Sequence, residues 1–106
     1  MNFRGGMNEL MRQAARMQRK IEQAKAEAKD KEIHSSAVGD KVKVTVTLGR
    51  TVKHIEIDKA FLESEGIELA LDSVCAALNT ALEQADKAME AEVEKATGGV
   101  KLPGVV

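Results

Sequence analysis

Apolar residues recur at alternating steps of four and three along the first part of the chain. They fall at Phe3, Met7, Leu10, Ala14, Met17, Ile21, Ala24 and Ala28. This spacing is the heptad pattern of a helix whose narrow apolar stripe packs against a partner helix. The pattern predicts a helix over residues 7–30. Gly5 and Gly6 are expected to mark its start, with Asn8 as an alternative N-terminal cap.

The next segment alternates strictly between apolar and polar residues. Val42, Val44, Val46 and Leu48 are separated by Lys41, Lys43, Thr45 and Thr47. Period two is typical of a strand with one buried face. Gly39-Asp40 and Gly49-Arg50 lie between β-prone runs, and glycine in the first central position is expected to give two-residue type II′ hairpins. The segment therefore predicts a three-stranded antiparallel meander over about 32–38, 41–48 and 51–57.

A second long helix is expected from near Ile67 to about Lys95. Its apolar positions are again spaced by three and four: Ile67, Leu71, Val74, Leu78, Ala81, Leu82, Ala85, Met89, Val93 and Ala96. Gly98-Gly99 ends the helix and Pro103 prevents it from restarting. The predicted fold is α+β, with a long N-terminal helix, a three-stranded antiparallel meander and a long C-terminal helix. Residues 1–106 form one domain, in which 97–106 are expected to be a flexible tail.

The second helix is predicted to be longer than the sheet. Such a helix spans on the order of 40 Å, whereas strands of this length span about 20–27 Å. Its apolar stripe beyond the sheet must pack against the first helix or against another chain. We therefore expect a two-fold homodimer. The expected interface residues are Leu71, Val74, Leu78, Asn79 and Leu82, where a polar Asn79 near the stripe fixes the register in preference to contacting a base.

Charge is distributed unevenly along a chain whose net charge is only −1. Residues 1–30 hold seven Lys or Arg against four Asp or Glu, residues 31–59 hold six against four, and residues 60–106 hold three against nine. In the first helix, Arg12, Arg16 and Arg19 point away from the apolar stripe, with Lys20 at its flank. A solvated helix face is the ordinary explanation of such charges. The alternative is a surface that contacts the phosphates of a nucleic acid.

The composition excludes several classes of protein. A length of 106 residues with 43% hydrophobic and 31% charged residues is typical of one globular domain, and no apolar run approaches the roughly 20 residues that a membrane span needs. We read no secretory signal at the N-terminus, and a single cysteine fits a reducing cytoplasm. Phe3 and Phe61 are the only aromatic residues, so the chain offers almost no aromatic rings on which single-strand binders stack bases.

No pattern in the chain indicates catalysis, a metal site or a cofactor. Cys75 is expected to be a buried small residue of the second helix. His34 and His54 fall on separate predicted strands without a cysteine cluster, so we expect surface histidines and no metal. The acidic residues of the second helix are read as a solvated face. Two helices on a small sheet offer little room for a pocket, so neither an enzyme nor a small-molecule substrate is expected.

Four segments together resemble the YbaB/EbfC family of bacterial nucleoid-associated proteins. They are "GGMNELMRQAARMQRKIEQAKAE", "VKVTVTLGRTVKHIEID", "ALDSVCAALNTALEQADK" and the closing "GGVKLPG". The resemblance implies a tweezer-like cytoplasmic homodimer that binds double-stranded DNA at the nucleoid and affects nucleoid organisation and gene expression. It also implies DNA contact by the protruding first helix, for which the candidate residues are Arg4, Arg12, Arg16, Arg19 and Lys20.

Two features limit what the resemblance implies. The last helix reads "NTALEQADKAMEAEVEK", which holds Lys87 and Lys95 but no arginine, so we expect little phosphate contact from it. The sequence has no helix-turn-helix signal, so binding through the DNA backbone with weak sequence specificity is expected. The alternative function is a helical protein-interaction or chaperone-like module without affinity for DNA, which long heptad helices beside β-hairpins would also fit.

Overall fold

The chain forms a helix, three strands and two further helices. The computed structural model describes residues 3–99, with side chains described from residue 6 onward. The elements are α1 (Phe3–Ala28), β1 (Glu32–Ala37), β2 (Val42–Thr47), β3 (Val52–Ile57), α2 (Lys59–Glu65) and α3 (Ile67–Ala96). The molecule is elongated, with extents of 77 × 20 × 17 Å. The predicted α+β class and the order of helix, meander and long helix are confirmed.

The sheet is an antiparallel meander in the order β1-β2-β3. Ala37 pairs with Val42 across the first hairpin, and Val42 pairs with Ile57 across the second, with an irregularity between Thr45 and Val46. The alternation in β2 has the predicted consequence, because Val42, Val44 and Val46 are each at most 1% exposed. These three valines are the largest fully buried side chains of the described residues.

The two hairpin turns differ from the predicted type II′. In the first, the Lys41 N–H donates to the Val38 carbonyl at 3.1 Å, and both intervening residues have positive φ, 55° at Gly39 and 71° at Asp40. In the second, the residue with positive φ is Arg50, at 69°. A type II′ turn needs negative φ at its second central residue, so the prediction is wrong at both turns.

The ends of the helices also differ from the sequence prediction. Helix α1 begins at Phe3 rather than at residue 7, so the two glycines expected to precede it lie inside its first turns. The short helix α2 was not predicted. Asp58 caps it, since its carboxylate accepts a hydrogen bond from the Phe61 N–H at 3.0 Å, and Gly66 ends it with a φ of 89°. Helix α2 places Phe61 in the core.

The core lies between α3 and the inner face of the sheet, chiefly over β1 and β2. Small residues of α3 make this contact: Ala70, Ser73, Ala77, Ala81 and Ala85 are all buried, together with the larger Val74. Because alanine side chains are short, the helix can approach the valines of β2 closely. Of the apolar positions that the sequence pattern gave for this helix, Val74, Ala81, Ala85, Met89 and Val93 are buried, whereas Ile67 and Leu71 are 57% and 53% exposed. Leu71 belongs to the expected dimer interface, and that role stays a prediction.

A second, smaller core joins the C-terminal part of α1 to that of α3. It contains Ala28, Leu48 and Met89, with Ile33 and Ala88 at its edge. Ala24 lines the same cleft as Ala96 at the end of α3. The two helices are therefore antiparallel, because Ala28 lies near Met89 whereas the earlier Ala24 lies near the later Ala96. Consequently α1 continues toward its N-terminus beyond the point where α3 ends.

Candidate nucleic-acid interface

The N-terminal half of α1 projects from the rest of the molecule. We call residues 6–20 the arm; all of its side chains are exposed except that of Met17, which is half-buried. Burial begins at Ile21, which is 4% exposed, where α1 meets α3. Fifteen helical residues extend about 22 Å. The arm is rich in good helix formers, so that it can remain helical with one end anchored in the smaller core.

The arm carries the basic residues that the sequence analysis selected. The basic stripe, defined as Arg12, Arg16, Arg19 and Lys20, is wholly exposed. Arg12 lies 3.5 Å from the carboxylate of Glu9 in a solvent-exposed pair. Within residues 6–99, neither Arg16 nor Arg19 nor Lys20 forms an ion pair, so most of the stripe's charge is not neutralised by the chain itself. The side chain of Arg4, the fifth candidate, lies outside the described residues.

A charged clasp fixes the base of the arm. Lys31, which follows α1, donates a hydrogen bond from Nζ to the Glu92 carboxylate at 2.9 Å, and Lys95 approaches the same carboxylate at 3.7 Å. The hydrogen bond from Lys31 is the main cause that lowers the pKa of Glu92 below its usual value. Desolvation opposes this shift, and the charges of Lys31 and Lys95 add to it. The clasp ties the end of α1 to α3 and so orients the arm.

Several acidic residues of α3 are engaged by the body of the protein. The Arg50 Nη1 atom lies 2.6 and 2.7 Å from the two carboxylate oxygens of Asp86, which ties the β2–β3 hairpin to α3. Lys87 lies 3.9 Å from Glu83 one turn away. The lysines of the last helix are thus beside acids, whereas in the arm only Arg12 pairs with an acid and Arg16 and Arg19 form no ion pair within residues 6–99.

The residues expected at a dimer interface occupy three different environments. Val74 is buried in the chain's own core, Leu78 and Leu82 are half-buried at its rim, and Leu71 and Asn79 are exposed. Their role in dimerisation stays a prediction. Val52 and Ile55 of β3 were not among the residues selected from the sequence. They are 44% and 42% exposed, although valine and isoleucine usually lie inside.

The exposure of these β3 residues follows from the position of α3. Ile55 pairs with Val44 and Ile57 with Val42, so both isoleucines share the inner face of the sheet with the buried valines. Helix α3 lies chiefly over β1 and β2, which leaves the β3 part of that face open. We call Val52, Ile55, Ile67 and Leu71 the exposed apolar face. In "VKHIEI" only Ile55 and Ile57 keep the two-residue spacing of β2, and the irregularity between Thr45 and Val46 interrupts that spacing before Val52, so the sequence signal for these residues is weak.

The remaining candidates carry no indication of catalytic chemistry. Cys75 is exposed, so the prediction that it is buried is wrong: one helical step separates it from the buried Val74. His34 and His54 are exposed on either side of Thr45 on the outer sheet face, and His34 Nδ1 lies 3.0 Å from the Thr45 hydroxyl. Among the residues that the structure describes, no group of three or more His, Cys, Asp or Glu side chains could hold a metal ion.

Open surface depressions take the place of an enclosed pocket in the part of the chain that is described. The one on the outer sheet face has a volume of about 300 Å³ and is lined by both histidines together with Lys43 and Glu56. No described helix combines the length and apolar character needed to cross a membrane.

Comparisons with known proteins agree with the resemblance seen in the sequence. A nucleoid-associated protein of Acetivibrio thermocellus is 38% identical over 104 residues, which cover 97% of this chain and 92% of that protein. A nucleoid-associated protein of Psychrobacter sp. is 42% identical over 98 residues, which cover 89% of this chain and 88% of that protein.

The fold is shared with a protein of known structure. The crystal structure of an uncharacterized protein from Helicobacter pylori superposes with a TM-score of 0.71 at 20% identity, covering 92% of this chain and 99% of that one. The sequence profile of the YbaB/EbfC DNA-binding family, which is not an enzyme family, matches residues 3–100. Since that match spans nearly the whole sequence, the chain belongs to the YbaB/EbfC DNA-binding family.

Proposed function

We propose that this protein is a non-enzymatic, nucleoid-associated homodimer that binds double-stranded DNA. It contacts mainly the phosphate backbone, has weak sequence specificity, and affects nucleoid organisation and gene expression from within the cytoplasm. The observation that carries the proposal is the basic stripe on the projecting arm. Family membership and the names of the relatives support DNA as the partner.

The stripe suits a phosphate backbone in both charge and spacing. Arg12 and Arg19 are seven residues apart, which corresponds to about 10 Å along the helix. One DNA strand rises about 3.4 Å per nucleotide, so this distance spans roughly three phosphates. Lysine and arginine gain affinity there by releasing condensed counterions. Because the stripe is exposed and Arg16, Arg19 and Lys20 form no ion pair within the described chain, only the exposed pair of Arg12 with Glu9 competes with a phosphate.

Weak specificity follows from the side chains that the arm presents. Base reading in the major groove usually depends on Arg, Asn or Gln held at fixed positions by a rigid motif. The glutamines of the arm, Gln13 and Gln18, lie toward its apolar side, where each donates a hydrogen bond to a glutamate of the same helix. The arginines opposite them are long and exposed, which suits contacts with phosphates rather than with bases.

The exposed apolar face supports the homodimer. Val52, Ile55, Ile67 and Leu71 expose large apolar side chains, and β3 is an edge strand with one free side. Burying such a face against a second copy removes apolar area from water, and an edge strand can pair with its symmetry mate. Leu78 and Leu82 at the rim of the core would extend the same contact. A dimer doubles the number of basic stripes available to one DNA molecule.

Charge removal tests the DNA-binding proposal. The test variant changes Arg12, Arg16, Arg19 and Lys20 to Ala, and the matched control changes Lys41, Lys43, Lys59 and Lys87 to Ala, so that both lose four positive charges. Duplex affinity is measured by fluorescence anisotropy from 50 to 200 mM salt. A dimer making six to ten phosphate contacts loses about 10³–10⁵ in affinity over that range. We expect the test variant to bind weakly with a shallower salt slope, and the control to resemble the parent. Equal affinity and slope in the test variant would refute the assignment of these residues.

A pair of changes on opposite faces of β3 tests the homodimer. Ile55→Glu places a charge on the exposed apolar face, and His54→Glu places the same charge on the outer, polar face. Light scattering coupled to size exclusion should give a dimer mass for the parent and the control and a monomer mass for Ile55→Glu. Circular dichroism checks that both variants fold. A dimer mass for a folded Ile55→Glu protein would contradict this interface.

The second candidate function is a protein-interaction or chaperone-like module. It is favoured by the apolar residues of the arm, since Met7, Leu10 and Met11 are 63%, 67% and 68% exposed. Retention on a heparin column at low salt distinguishes the two functions, because only the DNA binder should be retained and then eluted by salt. Absence of retention would favour this second candidate.

A further inference from the structure

The apolar seam of α1 is covered along only part of its length. The seam consists of Met7, Leu10, Ala14, Met17, Ile21, Ala24 and Ala28, and all seven residues lie on one side of the helix. Its C-terminal part packs against α3, where Ile21 is 4% and Ala28 is 1% exposed. Toward the N-terminus the same seam continues past the end of α3, and there Met7 and Leu10 are more than 60% exposed. The uncovered part is thus continuous with an existing helix–helix interface.

The positions beside the uncovered seam are almost free of charge. A heptad in which Met7 and Ala14 take position a places Met11 and Gln18 at e, and Gln13 and Lys20 at g. Three of these four flanking residues are neutral. Arg12 and Arg19 take position f and Arg16 takes position c, which point away from a partner helix. A second basic arm could therefore approach along the seam without bringing the arginines together.

The sizes of the seam residues favour one orientation of such a pair. In a parallel pair, each residue meets its own copy, so the two Ala14 side chains would face each other and leave a void. In an antiparallel pair, Leu10 meets Ala14 of the second copy and Met7 meets Met17. Every pair of facing residues in the seam then contains at least one large side chain. Methionine adapts readily to an irregular partner surface, which suits the ends of this short contact.

We propose that the arms of two copies pair antiparallel through the seam from Met7 to Met17. Because the arginines occupy the outer positions, the pair carries two basic stripes on opposite sides. The part of the proposal that concerns DNA rests on the proposed function: one pair of arms holds two duplexes and thereby bridges them. The exposed apolar face shares no residue with this seam, so an arm can pair while the dimer remains intact. The contact between two arms covers only a short length of helix. It is strengthened when several dimers bind one DNA molecule, because their arms are then held at a high local concentration.

Disulfide cross-linking without DNA tests the pairing. Leu10→Cys and Ala14→Cys are made separately in a Cys75→Ala background, with Ala15→Cys on the outer side of the arm as the control. Antiparallel pairing brings residue 10 of one copy opposite residue 14 of the other, within the short range of Cβ atoms that a disulfide needs. With oxidised glutathione added as the two-electron oxidant, a mixture of the two variants should form the mixed disulfide at least about fivefold faster than either variant forms disulfides with the control. Equal rates for all combinations would overturn the pairing.

Capture of one duplex by another tests the consequence for DNA. A labelled duplex is pulled down by an immobilised duplex in the presence of the protein, while affinity for a single duplex is measured in parallel. Met7→Ser with Leu10→Ser should lower capture about tenfold and leave single-duplex affinity within about twofold, because the basic stripe is intact. The control, Asn8→Ser with Ala15→Ser, should capture like the parent. Undiminished capture by the seam variant would refute bridging through the seam.

These measurements separate failure of the pairing from failure of DNA binding. If the parent protein binds no duplex but the mixed disulfide forms, the proposed function fails and the pairing stands. If duplex binding persists but the mixed disulfide does not form, the pairing fails and the proposed function stands.

Two other outcomes would assign the seam to a different partner and overturn the pairing. If removal of residues 100–106 makes hydrogen exchange in the arm faster, and the exchange rate does not depend on protein concentration, then residues 100–106 of the same chain cover the seam. Binding to phosphatidylglycerol vesicles that the seam variant loses, without cross-linking, would assign it to a membrane surface.

Discussion

The close approach of α3 to the sheet should make the alanines of that contact intolerant of larger side chains. Ala81 is 0% exposed and belongs to the same core cluster as the three valines of β2. Ala81→Leu adds three carbon atoms at a position where the neighbours are a sheet on one side and a helix backbone on the other. Overpacking of this kind costs about 1–3 kcal/mol in the free energy of unfolding. A matched control is Ala76→Leu on the exposed side of α3, where leucine and alanine differ little in helix propensity.

Thermal unfolding followed by circular dichroism measures the difference. For a domain of about 100 residues, each kcal/mol shifts Tm by roughly 4–8 °C. All proteins are compared at one concentration, because dissociation of a dimer makes Tm depend on concentration. We expect Ala81→Leu to lower Tm and Ala76→Leu to leave it near the parent value. If Ala81→Leu melts with the control, the short alanine side chains do not determine how closely α3 packs on the sheet.

Three further changes test other contacts. Glu92→Gln should remove the acid sensitivity of the clasp. Because Lys31 lowers the pKa of the Glu92 carboxylate, the clasp stabilises the fold at neutral pH and loses this effect as the pH falls below the ordinary value of 4.5. Melting curves of both proteins at successive pH values would show the difference. A double-mutant cycle on Arg50 and Asp86, each changed to Ala, should give a coupling of only about 0.5 kcal/mol in urea unfolding, since both side chains are more than half exposed. Val44→Ala should lower the free energy of unfolding by about 2 kcal/mol in the same assay, because it removes two methyl groups from a fully buried side chain.

The spacing of apolar residues predicted the helices and strands well, because it reflects which face of each element is buried. The alternation from Val42 to Val46 identified a buried strand face, and the heptad spacing in α1 identified a stripe whose C-terminal part is buried against α3. The charge pattern identified Arg12 and its neighbours as exposed. These properties depend on which side of an element faces water, which the sequence pattern encodes directly.

The contacts of α3 could not be read in the same way. The apolar pattern gives weight to large residues. It therefore missed Ala70 and Ala77, which pack in the core one step around the helix from Leu71 and Leu78. Small residues permit the closest approach but are only weakly apolar, so that they contribute little to a periodic signal. The exposed apolar residues then mark the side that the isolated chain leaves uncovered. The same displacement around the helix explains why Cys75 is exposed.

The acids in α2 and at the start of α3 do not cancel the basic stripe, because they are separated from it along the molecule. Glu63, Glu65, Glu68 and Asp72 lie at or before the first turns of α3, a helix of 30 residues whose opposite end lies at the base of the arm. That length corresponds to about 45 Å, or more than five Debye lengths at physiological salt. Of the five acids in the half of α3 nearer to the arm, Glu92 is engaged by Lys31, Asp86 by Arg50 and Glu83 by Lys87. A nearly neutral chain can thus present a locally cationic arm to an anion. The acids at the other end of the molecule disfavour the approach of the anion to that end.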